Sequence, residues 1–306
     1  EVRRAIADMV TQSTGPYAAV GMAMVLAARQ SENLGAGERE AYLRRAADEL
    51  AHSRPTTSNR YAQITNKCAD AGVAALEAGL DPEEAIFECA VGTMNERYGR
   101  MQLVGDRLAE LIPEGGAILT QCYGETIIGT VIRAAMREGK SFRVYCAETR
   151  PYMQGARLTS SCFAEMGFDT TVVTDNMIAY AMQHEGIDLF TSAADTITRD
   201  VHIANKVGTF QNAILAKYFG LPYYVTGSHD EDKRTAADIV IEMRDPAQVL
   251  NYRGIRNTID GVKAIYPAFD IVPPHLISGV VTDRGVYVPY LVGSYFDGGA
   301  GGGSLV

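Results

Sequence analysis

Residues 117–147, AILTQCYGETIIGTVIRAAMREGKSFRVYCA, contain a strand, a helix and a second strand in direct succession. The two apolar runs, Ala117–Gln121 and Phe142–Ala147, have strand length and lie on either side of a helical pattern over Thr126–Glu138. Repeated alternation of strands and helices predicts a parallel sheet that is covered by helices on both faces. The alternation continues downstream, where helical patterns separate the apolar runs Phe168–Thr174, Asp188–Ala193 and Leu221–Val225.

The region before this alternation is helical by the same criteria. Apolar residues recur at helical spacing up to residue 111, and Pro113-Glu114-Gly115-Gly116 then breaks the pattern. The sequence therefore predicts an α/β chain, with an N-terminal helical domain over residues 1–112 and a Rossmann-like doubly wound parallel-sheet domain over residues 113–296. The Gly-rich residues 297–306 have the composition of a linker, which predicts a flexible tail.

The amino-acid composition argues against several kinds of binding partner and against a metal site. The chain of 306 residues has a net charge of −9 and no cluster of Lys and Arg, which argues against nucleic acid and an anionic membrane surface as partners. No apolar run approaches the ~20 residues that span a bilayer. The five Cys and five His are scattered without the spacing of metal ligands or of a disulfide scaffold. We therefore expect a cytoplasmic protein that uses no metal and no cofactor.

Polar side chains follow the predicted strands at the points where these strands end. In a doubly wound sheet such positions meet at one edge, where ligands bind. A Cys and an Asp across a pocket can serve as general base and general acid, and a helix N-terminus after the Cys would lower the thiol pKa. Arg and Lys side chains suit an anionic substrate. The residues are Cys122 after the first strand, Arg150 and Gln154 after the second, Asp175 after the third, and Asp195, Asn205 and Lys206 after the fourth.

Each of these residues also has a plain structural interpretation. A Cys at a strand end is more often a small buried apolar residue than a catalyst, and Asp175 before a helix is typical of a helix cap. Asp195 suits a turn, and Lys206 suits a solvated surface. Their coincidence at one sheet edge predicts a pocket for a small anion, but the residues alone leave an enzyme and a binding protein both open.

Residues 148–159, ETRPYMQGARLT, resemble the E-T-R-P-x-x-Q-G-x-x-L-T signature of the methylthioribose-1-phosphate isomerases and the ribose-1,5-bisphosphate isomerases. These enzymes share a superfamily with the α, β and δ regulatory subunits of the exchange factor in eukaryotic translation initiation. The resemblance covers nearly the whole chain, because shorter matches follow one another in the expected order. They are Ser53–Thr56 to S-R-P-T, Thr120–Cys122 to T-H-C, Ala193–Asp195 to G-A-D, Ala204–Thr209 to x-N-K-I-G-T, Glu242–Pro246 to E-x-R-D-P and Pro267–Asp270 to P-A-F-D.

The resemblance implies an aldose-ketose isomerase that acts on a phosphorylated sugar, with the phosphate on carbon 1. It also implies a homodimer, because the family usually forms dimers through the C-terminal domain. Carried over by position, it implies that Cys122 and Asp195 are the catalytic pair, that Gln154, Asn205 and Lys206 contact substrate, and that Arg54 and Arg150 contact phosphate.

Two other functions stay open. A non-catalytic regulatory protein of the same fold would keep the pocket and bind a sugar phosphate or a nucleotide. The regulatory subunits generally lack the catalytic pair, so the presence of both Cys122 and Asp195 favours an enzyme. An epimerase or dehydratase that uses the same acid-base pair is the third possibility.

The chain departs from the family pattern near the implied phosphate contacts. The family stretch R-G-A-P-A-I-G corresponds to residues 13–21, where the Arg is missing and Tyr17 has entered. Arg60 is a new cation that follows the S-R-P-T match, and Gln121 and Tyr266 replace a His and an Asn. We therefore expect Tyr17 and Arg60 to contact substrate. Either Arg60 takes the place of the lost cation, or the phosphate is absent or held differently. The sugar would differ from methylthioribose-1-phosphate at the end distal to the reacting carbons.

Overall fold

The computed structural model describes residues 1–11, 13–54 and 57–291. Contacts divide the chain into two compact units, Glu1–Arg100 and Met101–Val306. The predicted flexible tail over residues 297–306 lies outside the described residues. No helix in the described ranges is both long enough and apolar enough to cross a membrane.

The first unit is helical, and two of its helices begin at capping signals. The Asp81 carboxylate accepts a hydrogen bond from the backbone N–H of Glu83 at 2.9 Å, and the Glu38 carboxylate accepts one from the N–H of Gly35 at 3.1 Å. The last helix starts at a Pro and has acidic residues in its first turn, as the sequence predicts. The helices are α1 (Val2–Ala7), α2 (Gly15–Gln30), α3 (Ala36–Ala51), α4 (Ser58–Glu77) and α5 (Pro82–Leu111).

The helices of the first unit pack around one apolar core. Its members include Leu43, Tyr61 and Ile86, which are almost completely buried. Gly72 on α4 lets the helices approach closely, because a Cβ at this position would lie 2.6 Å from Cδ1 of Ile86 and 3.1 Å from Cδ1 of Leu43. A larger residue at Gly72 would therefore have to displace its neighbours in the core.

The border between the units lies inside α5, whereas the sequence places it after residue 112. The helix is continuous to Leu111, so the Pro and Gly residues that follow mark the end of the helix rather than the border of the unit. Val104 and Leu108, near the end of α5, pack with Ile118 in the core of the second unit. Packing therefore assigns the last turns of α5 to the second unit.

A doubly wound sheet forms the centre of the second unit. Its strands, with those of two smaller sheets, are β1 (Ala117–Thr120), β2 (Arg143–Ala147), β3 (Thr170–Val173), β4 (Leu189–Ala193), β5 (Thr196–Ile197), β6 (Ile203–Lys206), β7 (Tyr223–Thr226), β8 (Asn251–Tyr252), β9 (Ile255–Arg256), β10 (Phe269–Val272), β11 (Gly279–Val281) and β12 (Val286–Tyr287). Within the described residues, seven strands pair in the order β12-β11-β7-β4-β1-β2-β3, and only β11 and β12 are antiparallel neighbours. The predicted fold class is confirmed.

The sheet is covered on both faces, which explains why its central strands are apolar runs without polar alternation. Leu119 of β1 and Tyr145 of β2 belong to one apolar cluster, whereas Ile118 and Val144 belong to the cluster on the other face. All four residues of β1 are buried. A polar residue within β1 would therefore lie in a core whichever way its side chain pointed.

Four helices of the second unit lie where the sequence predicts them, whereas the short α10 is not predicted, and two of the four begin as wider turns. π-helical segments over Thr126–Val131 and Gly155–Thr159 lead directly into regular helices. Single-turn π segments of this kind often occur at functional sites. The α-helices are α6 (Ile132–Glu138), α7 (Ser160–Glu165), α8 (Ile178–His184), α9 (Thr209–Phe219) and α10 (Ala247–Leu250), and 3₁₀ turns span Asp175–Met177, Ala236–Asp238, Pro274–Leu276 and Pro289–Leu291.

Sequence analysis does not predict the two smaller sheets. In the described chain, β10, β6 and β5 form an antiparallel sheet, and β8 pairs with β9 in a short hairpin. Strand β6 carries the polar pair Asn205 and Lys206, and the pairing places Asp270 opposite Asn205 and Phe269 opposite Lys206. This sheet joins the N-K and P-A-F-D matches of the sequence in one structural element, and the G-A-D match directly precedes β5.

Candidate active site

Cys122 and Asp195 follow β1 and β4, the two adjacent strands between which the strand order of the sheet reverses. Strands β1 and β4 are parallel neighbours, with Thr120 beside Thr191. Cys122 lies two residues beyond the end of β1, and Asp195 lies two residues beyond the end of β4. The carboxyl ends of strands at such a reversal form the crevice in which doubly wound sheets bind ligands. The structure therefore places this pair where the sequence predicted a site.

Two threonines of the 148–159 signature hold the backbone of Cys122. The N–H of Cys122 donates a hydrogen bond to Oγ1 of Thr149 at 2.9 Å, and the Thr159 hydroxyl donates to the Cys122 carbonyl. Cys122 itself has a left-handed backbone with φ of 62°, which non-glycine residues rarely adopt. The signature therefore builds the loop that carries Cys122, a role that sequence reasoning missed although both threonines are signature positions.

Burial and nearby charges set the protonation of Cys122. Burial raises the pKa of the Cys122 thiol to about 11; the Lys206 ammonium opposes this rise in pKa and the Asp195 carboxylate adds to it. The sequence-based expectation of a lowered pKa is therefore wrong for this site, because the desolvation of the thiolate outweighs the favourable charges. Cys122 is accordingly a neutral thiol at neutral pH.

Asp175 organises the turn that contains Arg150. Its two carboxylate oxygens accept hydrogen bonds from the backbone N–H groups of Thr149, at 2.9 Å, and of Arg150, at 2.7 Å. Asp175 is therefore an anchor for the signature turn. It also begins the 3₁₀ turn before α8, but the N-cap position is Thr174 and no side chain caps the turn, so the helix-cap interpretation of Asp175 is wrong.

The guanidinium of Arg150 is engaged with backbone carbonyls. It donates hydrogen bonds to the carbonyl oxygens of Pro151 at 3.0 Å, Val249 at 3.2 Å, and Gln248 and Asn251 at 3.3 Å. These carbonyls include the C-terminal end of α10, where a cation is electrostatically favourable. The implied phosphate contact of Arg150 stays a prediction, because its donors serve these carbonyls in this structure.

Asn205 and Lys206 are buried on strand β6. Both residues are only 3% exposed, so the interpretation of Lys206 as a solvated surface lysine is wrong. Nζ of Lys206 lies 5.0 Å from the ring centroid of Phe269, and Nδ2 of Asn205 donates to Oγ1 of Thr209 at 2.9 Å. A buried ammonium is stable only near negative charge. Asp270 interacts electrostatically with Lys206, and Asp195 and Lys206 both interact electrostatically with Cys122.

Gln121 and Asp270 support this lysine, and sequence reasoning gave neither of them a role. Nε2 of Gln121 donates to the carbonyl of Lys206 at 2.9 Å. Asp270 accepts hydrogen bonds from the N–H groups of Gly208, at 2.7 Å, and of Phe210, at 3.1 Å, and so caps α9 from another strand. Burial raises the pKa of Asp270 to about 6, against the effect of these N–H donors and of Lys206. The signal that could have identified Asp270 is the P-A-F-D match.

Gln154 presents an unsatisfied acceptor. The residue is 1% exposed, and its Oε1 atom is buried without a hydrogen-bond partner among the described residues. Buried side-chain acceptors are nearly always satisfied, so such an atom suits a hydroxyl donor from a ligand. This observation supports the substrate contact that the resemblance implies for Gln154.

The remaining predicted contacts, Tyr17, Arg54 and Arg60, lie in the first unit. Tyr17 is in the first turn of α2 and is 6% exposed. Arg54 precedes α4 and Arg60 is in its first turn. In the described parts of the chain, no group of three His, Cys, Asp or Glu side chains could hold a metal ion.

Comparison with known proteins identifies relatives over nearly the whole chain. Residues 12–289 match the family described as the initiation factor 2 subunit family. A methylthioribose-1-phosphate isomerase from Chloroflexus aurantiacus is 37% identical over 294 residues, which cover 90% of this chain and 82% of that protein.

Two solved structures show the same fold. The 5-methylthioribose 1-phosphate isomerase from Pyrococcus horikoshii OT3 superposes with a TM-score of 0.83 at 29% identity, covering 97% of this chain and 87% of that one. The translation initiation factor eIF-2B subunit delta from A. fulgidus superposes with a TM-score of 0.81 at 31% identity, covering 95% and 87%. The likeness therefore extends to an enzyme and to an initiation factor subunit.

Proposed function

The chain belongs to the initiation factor 2 subunit family, and from that membership we propose that it is an aldose-ketose isomerase of a phosphorylated sugar, with Cys122 and Asp195 as its acid-base pair. The relatives that carry the name methylthioribose-1-phosphate isomerase support a sugar-phosphate isomerase function for this chain. The single observation that supports the assignment of the pair is its position. Both residues lie just beyond β1 and β4, between which the strand order of the sheet reverses.

The first step of the proposed reaction prepares both groups. The neutral thiol of Cys122 transfers its proton to the Asp195 carboxylate, directly or through a water molecule. One proton is thereby moved and none is lost, and the pair now consists of a thiolate base and a carboxylic acid. The Lys206 ammonium stabilises the thiolate, because it lowers the pKa of Cys122 against the effect of burial.

The second step opens the sugar ring. A sugar with phosphate on its anomeric oxygen cannot open as a free hemiacetal does. Asp195 therefore donates its proton to the ring oxygen while the bond between carbon 1 and that oxygen breaks. The positive charge that develops on carbon 1 makes the proton on carbon 2 acidic.

The third step moves hydrogen from carbon 2 to carbon 1. The Cys122 thiolate removes the carbon 2 proton, and the electrons of that bond form a double bond between carbons 1 and 2. The new thiol returns the proton to carbon 1, and the hydroxyl on carbon 2 gives its proton to Asp195 as the ketone forms. The pair then shares one proton again, and the sugar has become a ketose with its phosphate retained. Gln154 is suited to accept a hydrogen bond from a sugar hydroxyl.

A non-catalytic regulator is the second candidate, and the likeness to an initiation factor subunit supports it. Such a protein would need a pocket for a sugar phosphate or nucleotide. It would not need a thiol and a carboxylate at the ends of β1 and β4. The two candidates therefore differ in what Cys122 and Asp195 do for a bound ligand.

A substrate panel separates the candidates. Methylthioribose-1-phosphate, ribose-1,5-bisphosphate, and free and phosphorylated pentoses and tetroses are incubated with the purified chain, and ketose formation is followed by NMR. We expect turnover of one phosphorylated sugar in the wild type and in Cys162→Ser, which changes a thiol outside the site. Cys122→Ser and Asp195→Asn should abolish it. Binding of a sugar phosphate without turnover of any compound would favour the regulator, and turnover that survives in Cys122→Ser would contradict the proposed base.

A further inference from the structure

We propose that Cys68 on α4 and Cys89 on α5 form a modification site, at which a peroxide oxidises the two thiols to a disulfide that joins these helices. The five Cys are scattered along the sequence, and folding of the first unit brings these two together in one core. The site lies within one unit, and its oxidation does not depend on the proposed isomerase activity.

Helices α4 and α5 touch one turn after Cys68. A Cβ at Gly72 would lie 2.6 Å from Cδ1 of Ile86, so the side chain of Ile86 rests against the backbone of α4 at this point. Ile86 precedes Cys89 by nearly one turn of α5. This contact therefore fixes the approach of the two helices on one side of the cysteines.

A second contact lies one turn before Cys68. A Cβ at Gly21 of α2 would lie 3.1 Å from Cβ of Ala90 and 3.9 Å from Cγ2 of Ile64, so α4 and α5 meet at this point as well. Ile64 precedes Cys68 by one turn, and Ala90 directly follows Cys89. Later residues of α4 thus meet earlier residues of α5. The two helices run antiparallel, and both cysteines lie between the two contacts.

The two thiols are in hydrogen-bond contact with each other. Cys68 is completely buried in the core, whereas Cys89 is half-buried and packs against the same core from its edge. Burial raises the pKa of Cys68 to about 12, and the neighbouring Cys89 adds to the rise in pKa. Cys68 is therefore a shielded neutral thiol, and a dissolved oxidant reaches Cys89 first.

Oxidation to the disulfide takes two steps. The Cys89 thiolate attacks one oxygen of hydrogen peroxide, the O–O bond breaks as the S–O bond forms, and the other oxygen leaves as water after it takes up a proton. The Cys68 sulfur then attacks the sulfur of this sulfenic acid, the S–O bond breaks as the S–S bond forms, and the departing hydroxide leaves as water with the Cys68 proton. Two thiols are oxidised and one peroxide is reduced. The second step needs only the approach of two sulfurs that are already in contact.

Peptide mapping of the peroxide-treated full chain tests the proposal. Trypsin cleaves after Lys67 and Arg97 and nowhere between them, so both thiols lie in one peptide, residues 68–97. The native chain is treated with hydrogen peroxide, blocked with iodoacetamide under denaturing conditions and digested. We expect this peptide to lose two hydrogen atoms and to carry no label, and dithiothreitol before blocking to restore both labels. A peptide that keeps both labels, or that gains oxygen on Cys89 without losing the two hydrogens, would overturn the proposal.

Single variants test the order of the two steps. Cys68→Ala leaves Cys89 without a partner thiol, so Cys89 should gain oxygen atoms instead of forming a disulfide, and fragment ions distinguish this oxygen from oxidation of Met94. Cys89→Ser should leave Cys68 unoxidised, because the buried thiol is reached only through Cys89. Cys162→Ser, which removes a half-buried thiol of the second unit, should form the disulfide as the wild type does. Oxidation of Cys68 in Cys89→Ser as fast as in the wild type would contradict the proposed site.

Thermal unfolding distinguishes a disulfide that fits the native packing from one that distorts it. A bond between two helices of the folded unit restricts the unfolded chain, so the oxidised wild type should unfold at least about 4 °C above the reduced wild type. Dithiothreitol should reverse the shift, and Cys89→Ser treated with peroxide in the same way should show none. An oxidised wild type that unfolds at the same temperature as the reduced chain, or at a lower one, would overturn the proposed link between α4 and α5.

Discussion

A thiol that is buried beside a carboxylate reacts slowly with electrophiles, and this consequence of the pKa of Cys122 can be measured directly. We expect alkylation of Cys122 by iodoacetamide to be slow at pH 7 and to rise about tenfold per pH unit towards the pKa of about 11. The rate is followed by mass spectrometry of the Cys122 peptide, with the half-buried Cys162 as an internal comparison. Rapid alkylation at neutral pH would contradict the electrostatic description of the site.

Lys206 controls the same thiol from the neighbouring sheet. Because its ammonium lowers the pKa of Cys122, Lys206→Met should raise that pKa further. Alkylation well below the pKa should slow in proportion to the lost thiolate, and turnover of the proposed substrate should fall at least as much. Lys217→Met, which changes an exposed lysine on α9, is the matched control. Faster alkylation in Lys206→Met would show that the lysine acts on Cys122 in the opposite direction.

At the scale of elements, the loop after β1 is fastened to the π-helical turn after β2. Thr159→Val keeps the shape of the side chain and removes the hydroxyl that donates to the Cys122 carbonyl. We expect a loss of about 1 kcal/mol in the free energy of unfolding and a fall in kcat of about tenfold or more, with KM nearly unchanged, because Cys122 loses its fixed position. Ser161→Ala, in the next turn, should change neither. A large rise in KM with kcat preserved would contradict a positioning role.

The cap on α9 makes stability depend on pH. The pKa of Asp270 rises from 3.8 to about 6 on folding, so the folded chain binds a proton there that the unfolded chain has already released. Stability from this group is greatest below about pH 4 and is lost as pH rises through 6, by at most about 3 kcal/mol. The free energy of unfolding of the wild type, relative to Asp270→Asn, should therefore fall between pH 4 and pH 7. The exposed Asp8→Asn is the control, and a difference that grows with pH would contradict the raised pKa.

The sequence was sufficient to predict the strands that stand out as short continuous apolar runs. Strands β1, β2, β4 and β7 are short apolar runs because both of their faces are buried, and β3, although more exposed, keeps strand composition. Each of these strands was predicted within three residues at either end. Strand β6 was missed, because its Asn205 and Lys206 are polar and because its partner β5 shortly precedes it whereas its partner β10 follows much later in the chain. The π-helical turns were also missed, since the apolar spacing of a π turn differs little from that of an α-helix over one turn.

The candidate site was predictable to the extent that it follows from strand ends. Cys122 and Asp195 were found because the carboxyl edge of a parallel sheet is a general rule, and their sequence matches gave them roles. Gln121, Asp270 and the two threonines act through hydrogen bonds between segments that are far apart in sequence, such as Gln121 with Lys206. No local pattern reports such contacts.

At the scale of the whole molecule, we propose that the chain assembles as a homodimer. The resemblance to the family implies this state, and we expect light scattering after gel filtration to give twice the mass of one chain at micromolar concentration, with no dependence on phosphate. A single chain mass across the range of concentrations would contradict it.

The anchoring of Cys122 by Thr149 and Thr159 also affects how relatives of this protein are classified as enzymes or as non-catalytic proteins. The 148–159 signature shapes a loop, and a loop can be retained by descendants that have given up chemistry. A genome survey that counts the signature as proof of an isomerase would therefore include any descendant that has kept this loop without the residues at positions 122 and 195. The residues at positions 122 and 195 are the better criterion, since under the mechanism we propose a protein that carries both has kept the acid-base pair as well as the loop.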